Sequence, residues 1–223
     1  GYRQFPEYKA FNEGMTLPEF KAIFWLEFTH RLWGRLIGVA FFIPFVVFVV
    51  KGWVRGALAV KLVVMFVLGA LQGVLGWYMV KSGLVDRPDV SQYRLAAHLG
   101  LALLIMGYML WVAMSLLDTR TGKGGGAVTA AATGIVALVF MTALSGGFVA
   151  GLDAGFSYNT FPLMDGELVP DGLFALDPAI VNFFENAATV QFTHRWLALA
   201  VLAAVAAFWI GTRRTRQGRR RRL

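Results

Sequence analysis

Five stretches of this chain are apolar for long enough to cross a membrane, and nothing else in the sequence restricts the fold as much. The hydrocarbon core of a bilayer needs roughly 20 helical residues to span it. Residues 23–50, 58–80, 93–117, 127–151 and 187–211 each supply such a run. Hydrocarbon offers no water to a backbone N–H or C=O, so each run must close its own hydrogen bonds as a helix. The expected fold class is all-α, a polytopic membrane helix bundle with five transmembrane helices. Residues of the AVILMFWYC set make up 57% of the chain and charged residues only 15%, against about 25% charged in soluble domains. Disorder is excluded on that ground. With no cysteine there is no disulfide scaffold and no thiolate nucleophile or ligand, so metal chemistry falls to His, Met, Tyr or carboxylates.

The net charge of +8 does not indicate nucleic acid, because the cations are distributed by side. Lys51 and Arg55 lie between spans one and two with Lys61 in the first turn of span two, and Arg120 and Lys123 lie between three and four. Arg213, Arg214, Arg216, Arg219, Arg220, Arg221 and Arg222 follow span five. Cytoplasmic or matrix-facing loops carry such an excess. Segment 152–186 holds Asp153, Asp165, Glu167, Asp171, Asp177 and Glu185 with no Lys or Arg. It is expected outside, with residue 1 and the near-neutral 81–92 segment, and the arginine-rich end inside on anionic lipid.

Local signals refine the ends of these spans. Thr16-Leu17-Pro18-Glu19 pairs a capping residue with an early proline and a Glu three positions on, so the first helix should begin before its apolar part. Pro44 is a candidate kink. The 122–126 stretch reads as a connector, since it lacks phosphate-loop spacing. The 152–186 loop is too long for a mere connector, and Tyr158, Phe161, Pro162, Phe174, Phe183 and Phe184 give it apolar weight to pack down as a lid. Asp177-Pro178 offers an N-cap and a first-turn proline for a short helix leading into span five.

The chain's three histidines, His30, His98 and His194, each stand near the start of a span that runs inward, so all three belong at one depth in the outer third of the membrane. Ionisable residues in spans are rare and face a bundle interior or a cavity. Each could make a single interhelical hydrogen bond, worth about 1 kcal/mol. At matched depth, the sharper reading is axial ligation of haem by neutral imidazoles on facing helices. Zinc or copper is disfavoured by the thin ligand set.

Glu27-Phe28-Thr29-His30-Arg31 recurs as Gln191-Phe192-Thr193-His194-Arg195, each at the outer start of a span, which suggests two homologous halves. They divide as 1–120, with His30 and His98, and 121–223, with His194. Glu27 stands one turn before His30, where it could set the imidazole tautomer or act on a reacting porphyrin substituent. Gln191 cannot titrate, so the first half is the reactive one if the carboxyl matters. Arg31 and Arg195 either snorkel or meet haem propionates, and Arg35, deeper in its span, needs a partner or a cavity. Gly69-Ala70-Leu71-Gln72-Gly73 with Gly76, and Ser145-Gly146-Gly147 with Gly151, read as close helix packing. Trp25, Trp77, Tyr78 and Tyr93 read as interfacial anchors.

Five segments together resemble the haem A synthase family in its cysteine-free form, found in mitochondria and proteobacteria. They are EFTHRLWGRLIG at 27–38, QGVLGWYMVKSGL at 72–84, YRLAAHLGLAL at 93–103, GLDAGFSYNTFPLMDGELVPDGLFA at 151–175 and NFFENAATVQFTHR at 182–195. The resemblance implies eight spans in two pseudo-symmetric four-helix halves, of which this chain is expected to lack the first and the last two. It makes His30 and His98 the ligands of the substrate, haem O, and Glu27 the catalytic carboxylate. His194 becomes one ligand of a cofactor haem b, with the fourth histidine absent from this chain. The implied reaction oxidises a methyl group of haem O to the formyl group of haem A through hydroxylated intermediates, with water as the oxygen source, for terminal oxidase assembly. Implied partners are haem O synthase as donor, an unidentified electron acceptor and the lipid of a bacterial cytoplasmic or mitochondrial inner membrane; a homo-oligomer is admitted. The rival reading is a bis-histidine transmembrane cytochrome b that moves electrons without altering its haem.

Overall fold

In a computed structural model the described residues are 8–9, 12–86, 90–117 and 126–220, with side chains described as far as Lys81 in the second helix and Arg214 in the last. Element order is α1 (Leu17–Val50), α2 (Gly56–Asp86), α3 (Gln92–Leu116), α4 (Gly126–Gly151), α5 (Asn182–Glu185) and α6 (Ala187–Arg220). Short 3-10 turns stand at Ala154–Phe156 and Ala179–Val181. No strand forms among the described residues; Met164 and Glu167 make one isolated bridge. Five helices are long and apolar enough to cross a membrane, which is the polytopic helical fold expected from the sequence. They overrun the expected spans at several ends, because a helix continues through polar turns until a cap stops it.

That rule is visible at both ends of α1. Thr16 donates its backbone N–H (2.8 Å) and its hydroxyl (2.7 Å) to the Glu19 carboxylate, so the helix starts six residues before its apolar run. At the far end Gly52 adopts φ +69°. Gly52 N–H reaches Val49 O at 2.9 Å and Trp53 N–H reaches Phe48 O at 2.8 Å, the paired bonds of a left-handed glycine stop, sealed by the Phe48–Trp53 ring contact at 5.5 Å. The helix runs on through Pro44 as one element. Arg120, Lys123, Arg221, Arg222 and residues 122–125 lie outside the described residues, as do the side chains of Arg216, Arg219 and Arg220.

The chain divides into two compact units, Gly1–Arg94 with Leu101–Asp118, and Leu95–Gly100 with Thr119–Leu223. In the first, α1 and α2 pair through Phe42 and Phe66 (5.3 Å), and Tyr108 of α3 donates to the Lys61 carbonyl of α2 at 3.2 Å. Lys61 lies over the Trp111 ring at 4.7 Å and Arg94 over Tyr78 at 4.8 Å, which places cations on indole and phenol faces. In the second, α4 pairs with α6 and the 152–186 loop folds onto the start of α6. Large apolar side chains such as Leu26 and Val50 are 75% and 80% exposed, a surface suited to hydrocarbon rather than water.

The short helix expected after Asp177-Pro178 is present in two pieces. Pro178, rather than Asp177, stands at the N-cap of the 3-10 turn, and α5 follows directly. The fully buried Asn182 organises it: Oδ1 accepts from Leu176 N–H (2.9 Å) and Nδ2 donates to Leu176 O (2.7 Å) and Ala179 O (3.0 Å).

Candidate functional site

The second unit builds a defined site around His194, about two helical turns into α6. Its ring rests on the Cα of Gly146 in α4; a Cβ there would stand 3.1 Å from His194 Cε1. Beside it, Ser145 Oγ lies 2.8 Å from His194 Nδ1 and 2.7 Å from the Thr142 carbonyl to which it donates. Nδ1 is therefore occupied by a hydroxyl, while among the described residues no hydrogen bond reaches Nε2. A neutral imidazole fixed at one nitrogen and open at the other is the chemistry an axial haem ligand requires, so this donor fits that cofactor.

The same turn of α4 also receives α3. A Cβ on Gly147 would stand 3.1 Å from the Ala96 Cα, and one on Gly100 2.9 Å from Leu144 Cδ2. His98 stands between Ala96 and Gly100 and is half-buried. One turn of α4, Leu144–Gly147, thus brings together the ring of His194 and the helical turn that carries His98. From the sequence, Ser145-Gly146-Gly147 is expected mainly to serve close helix packing. The glycines do serve packing, but Ser145 contacts a candidate ligand and was missed; its signal was a hydroxyl beside paired glycines near the same span end as a histidine.

Around His194 the 152–186 loop is strapped to α6 by the residues flanking the histidine. Gln191 is 6% exposed, and its Nε2 donates to Tyr158 O at 2.8 Å. Arg195 donates to Tyr158 O (2.7 Å), Thr160 O (2.6 Å) and Leu163 O (3.4 Å). Phe174 N–H donates to Thr189 Oγ1 (3.2 Å) and Asn186 Nδ2 to Gly172 O (2.9 Å), while Phe184 packs on Phe148 of α4 at 5.3 Å. The packing down of this loop, expected from its aromatic content, is present. Its cause is largely polar: an arginine fork and two amides take up loop carbonyls that a structureless segment would otherwise leave unpaired.

The first unit carries the other copy of the repeat. Glu27, His30 and Arg31 are all exposed on α1, and Glu27 Oε2 pairs with Arg31 at 3.0 Å, the side chains 55% and 52% exposed. An i, i+4 pair of that kind is worth a few tenths of a kcal/mol, so it separates readily. Comparing the copies shows what Glu versus Gln decides. Gln191 has an amide donor and shares the Tyr158 carbonyl with Arg195, whereas Glu27, which has only acceptors, draws in the arginine itself. Arg35 is exposed on α1 as well. Among the described residues no three His, Asp or Glu side chains gather as a metal-ion site.

The family described as cytochrome oxidase assembly protein, COX15-CtaA, matches residues 1–223. This chain belongs to that family. Among curated relatives, the "Heme A synthase" of Parvibaculum lavamentivorans is 54% identical over 214 residues, covering 96% of this chain and 62% of that protein. The protein of the same name from Nitrosospira multiformis is 55% identical over 216 residues, 95% of this chain and 61% of that protein. "Heme A synthase COX15" of Bos taurus is 46% identical over 235 residues, 100% of this chain and 56% of that protein. The chain thus spans about three fifths of the length of the bacterial relatives. No solved structure matches it. Membership of a cytochrome oxidase assembly family accords with the apolar helices, and the residues flanking the ligand candidates gain their interest in that setting.

Proposed function

We propose that this protein is a haem A synthase, which oxidises a methyl group of haem O to the formyl group of haem A through hydroxylated intermediates. The observation that carries the reading is identity of 46–55% to proteins of that name over nearly the whole chain; the His194 site supports it as a ligand built for haem. His30 and His98 hold the iron of haem O, and the 1–120 half is the substrate half. His194 would hold haem b in the other half, and that haem would supply electron transfer when bound. Four electrons leave the methyl carbon over the two oxidation stages, to an acceptor outside this chain, and water supplies the oxygen.

Glu27 acts at the reacting carbon. Its loose bond to Arg31 leaves the carboxylate available either to balance positive charge there or to take the proton of the attacking water. Arg31 is the first candidate for a haem propionate; Arg195 can serve only with the N–H groups its loop carbonyls leave over. The cation-free 152–186 loop lies on the outer face with residue 1, and the arginine-rich end lies inside, in a bacterial cytoplasmic or mitochondrial inner membrane. Haem O arrives from haem O synthase.

The test is chromatography of haems extracted from the full-length protein co-expressed with a haem O supply. Haem A is expected in the wild type and absent from His30→Ala and His98→Ala, while Glu27→Gln keeps its haem yet yields little haem A. Haem b alone in the wild type would sink the reading, and normal haem A from Glu27→Gln would remove Glu27 from the chemistry.

A further inference from the structure

We propose that Ser145 is a positioning residue which holds His194 as the tautomer protonated on Nδ1, and so presents the Nε2 lone pair to haem iron. The proposal rests on the reading of His194 as a haem ligand. A serine hydroxyl has one proton to give and two lone pairs to receive with. Its oxygen lies 2.7 Å from the Thr142 carbonyl and 2.8 Å from His194 Nδ1. The carbonyl can only accept. Were the hydroxyl proton turned to Nδ1 instead, two oxygens 2.7 Å apart would face each other with no proton between them. Donation to Thr142 and acceptance from an Nδ1–H satisfies all three groups, and the imidazole has a single neutral form compatible with that arrangement.

Gly146 completes the device, since the ring could not reach the hydroxyl over a Cβ standing 3.1 Å from Cε1 without shifting. The chain Thr142 O, Ser145 Oγ and His194 Nδ1 lies within one turn of α4 and one residue of α6, so the tautomer is set by helix packing before any cofactor arrives. An Nδ1–H that donates to an oxygen makes the opposite nitrogen the better electron donor, which favours ferric over ferrous iron. Loss of such outer contacts typically weakens metal sites about 10- to 100-fold.

The experiment is a potentiometric titration of the haem-loaded full-length protein in the wild type, Ser145→Ala and Ser145→Thr, with His194→Ala used first to identify the absorbance that depends on this ligand. In Ser145→Ala the ferric preference is expected to fall about tenfold, moving that haem's potential up by ~59 mV for a one-electron couple. Ser145→Thr, which keeps a hydroxyl, is expected to hold the wild-type potential. A merely structural serine would change occupancy and leave the potential of the remaining haem in place, and that result overturns the proposal. If Ser145→Ala retains no haem, the threonine variant decides: haem at the wild-type potential sustains the proposal, and loss of haem there too overturns it. An unaltered spectrum in His194→Ala removes the ligand reading itself, a failure distinct from an unmoved potential in Ser145→Ala.

Discussion

Replacing Arg195 with Leu tests whether the 152–186 loop is held by the fork of charge-assisted bonds that follows His194. The wild-type guanidinium donates to Tyr158 O, Thr160 O and Leu163 O, the first two at 2.7 and 2.6 Å and the third at a weak 3.4 Å. A hydrogen bond from a charged donor contributes about 1.5–3 kcal/mol. Two good bonds would give about 3–6 kcal/mol, and because the Thr160 contact is solvent-exposed the lower end of about 3 kcal/mol is appropriate. Leucine keeps most of the apolar stem, so lost packing contributes little. At about 1.4 kcal/mol per tenfold, local opening of the loop should become more frequent by roughly two powers of ten. The assay is amide hydrogen exchange on the full-length protein in detergent. The probes are the bonded amides of Phe156, Ser157, Met164 and Glu167, with the amides of α1 as an internal reference. Unchanged protection at these amides in Arg195→Leu would refute the idea that α6 holds the loop through this residue. Loss of protection equally in α1 would show a general destabilisation instead.

Other perturbations have equally definite expectations. Asn182→Ala removes the buried amide that pairs with the Leu176 N–H and C=O; because Leu176 is itself 39% exposed, water takes up part of the loss and a cost of about 1–2 kcal/mol is expected, read as a lowered thermal midpoint and faster exchange at Leu176. Gly147→Ala sets a Cβ 3.1 Å from the backbone of Ala96, which cannot swing aside, and is expected to destabilise by about 1–3 kcal/mol in thermal unfolding followed by circular dichroism. In Gly146→Ala the nearest atoms to the new Cβ are those of the His194 ring, a side chain that can shift, so a smaller stability loss with weaker haem retention is expected; the reverse order of the two effects would count against a ligand resting on Gly146.

The helices and their order were legible in the sequence because a bilayer leaves an apolar run of that length one way to satisfy its backbone. The start of α1 was legible too, since Thr16 and Glu19 satisfy each other within a single turn and need no distant partner. The three histidines announced themselves by the cost of an imidazole in hydrocarbon, and the recurrence of the 27–31 pentapeptide at 191–195 was plain in the sequence. What those residues touch was another matter. Ser145 was indistinguishable from a packing residue until α6 placed His194 Nδ1 at 2.8 Å from it, since a contact across 49 residues leaves no periodicity in the sequence. Arg195 likewise could have snorkelled. That its fork closes on three loop carbonyls depends on where 158–163 returns after folding, which no local propensity encodes. The sequence by itself therefore determined how many helices form, where each begins and which residues are costly enough to need a purpose, all consequences of local hydrogen bonding and transfer into hydrocarbon. Only the tertiary structure decided which polar groups meet across the chain, because such a partner is a matter of position between segments far apart in the sequence.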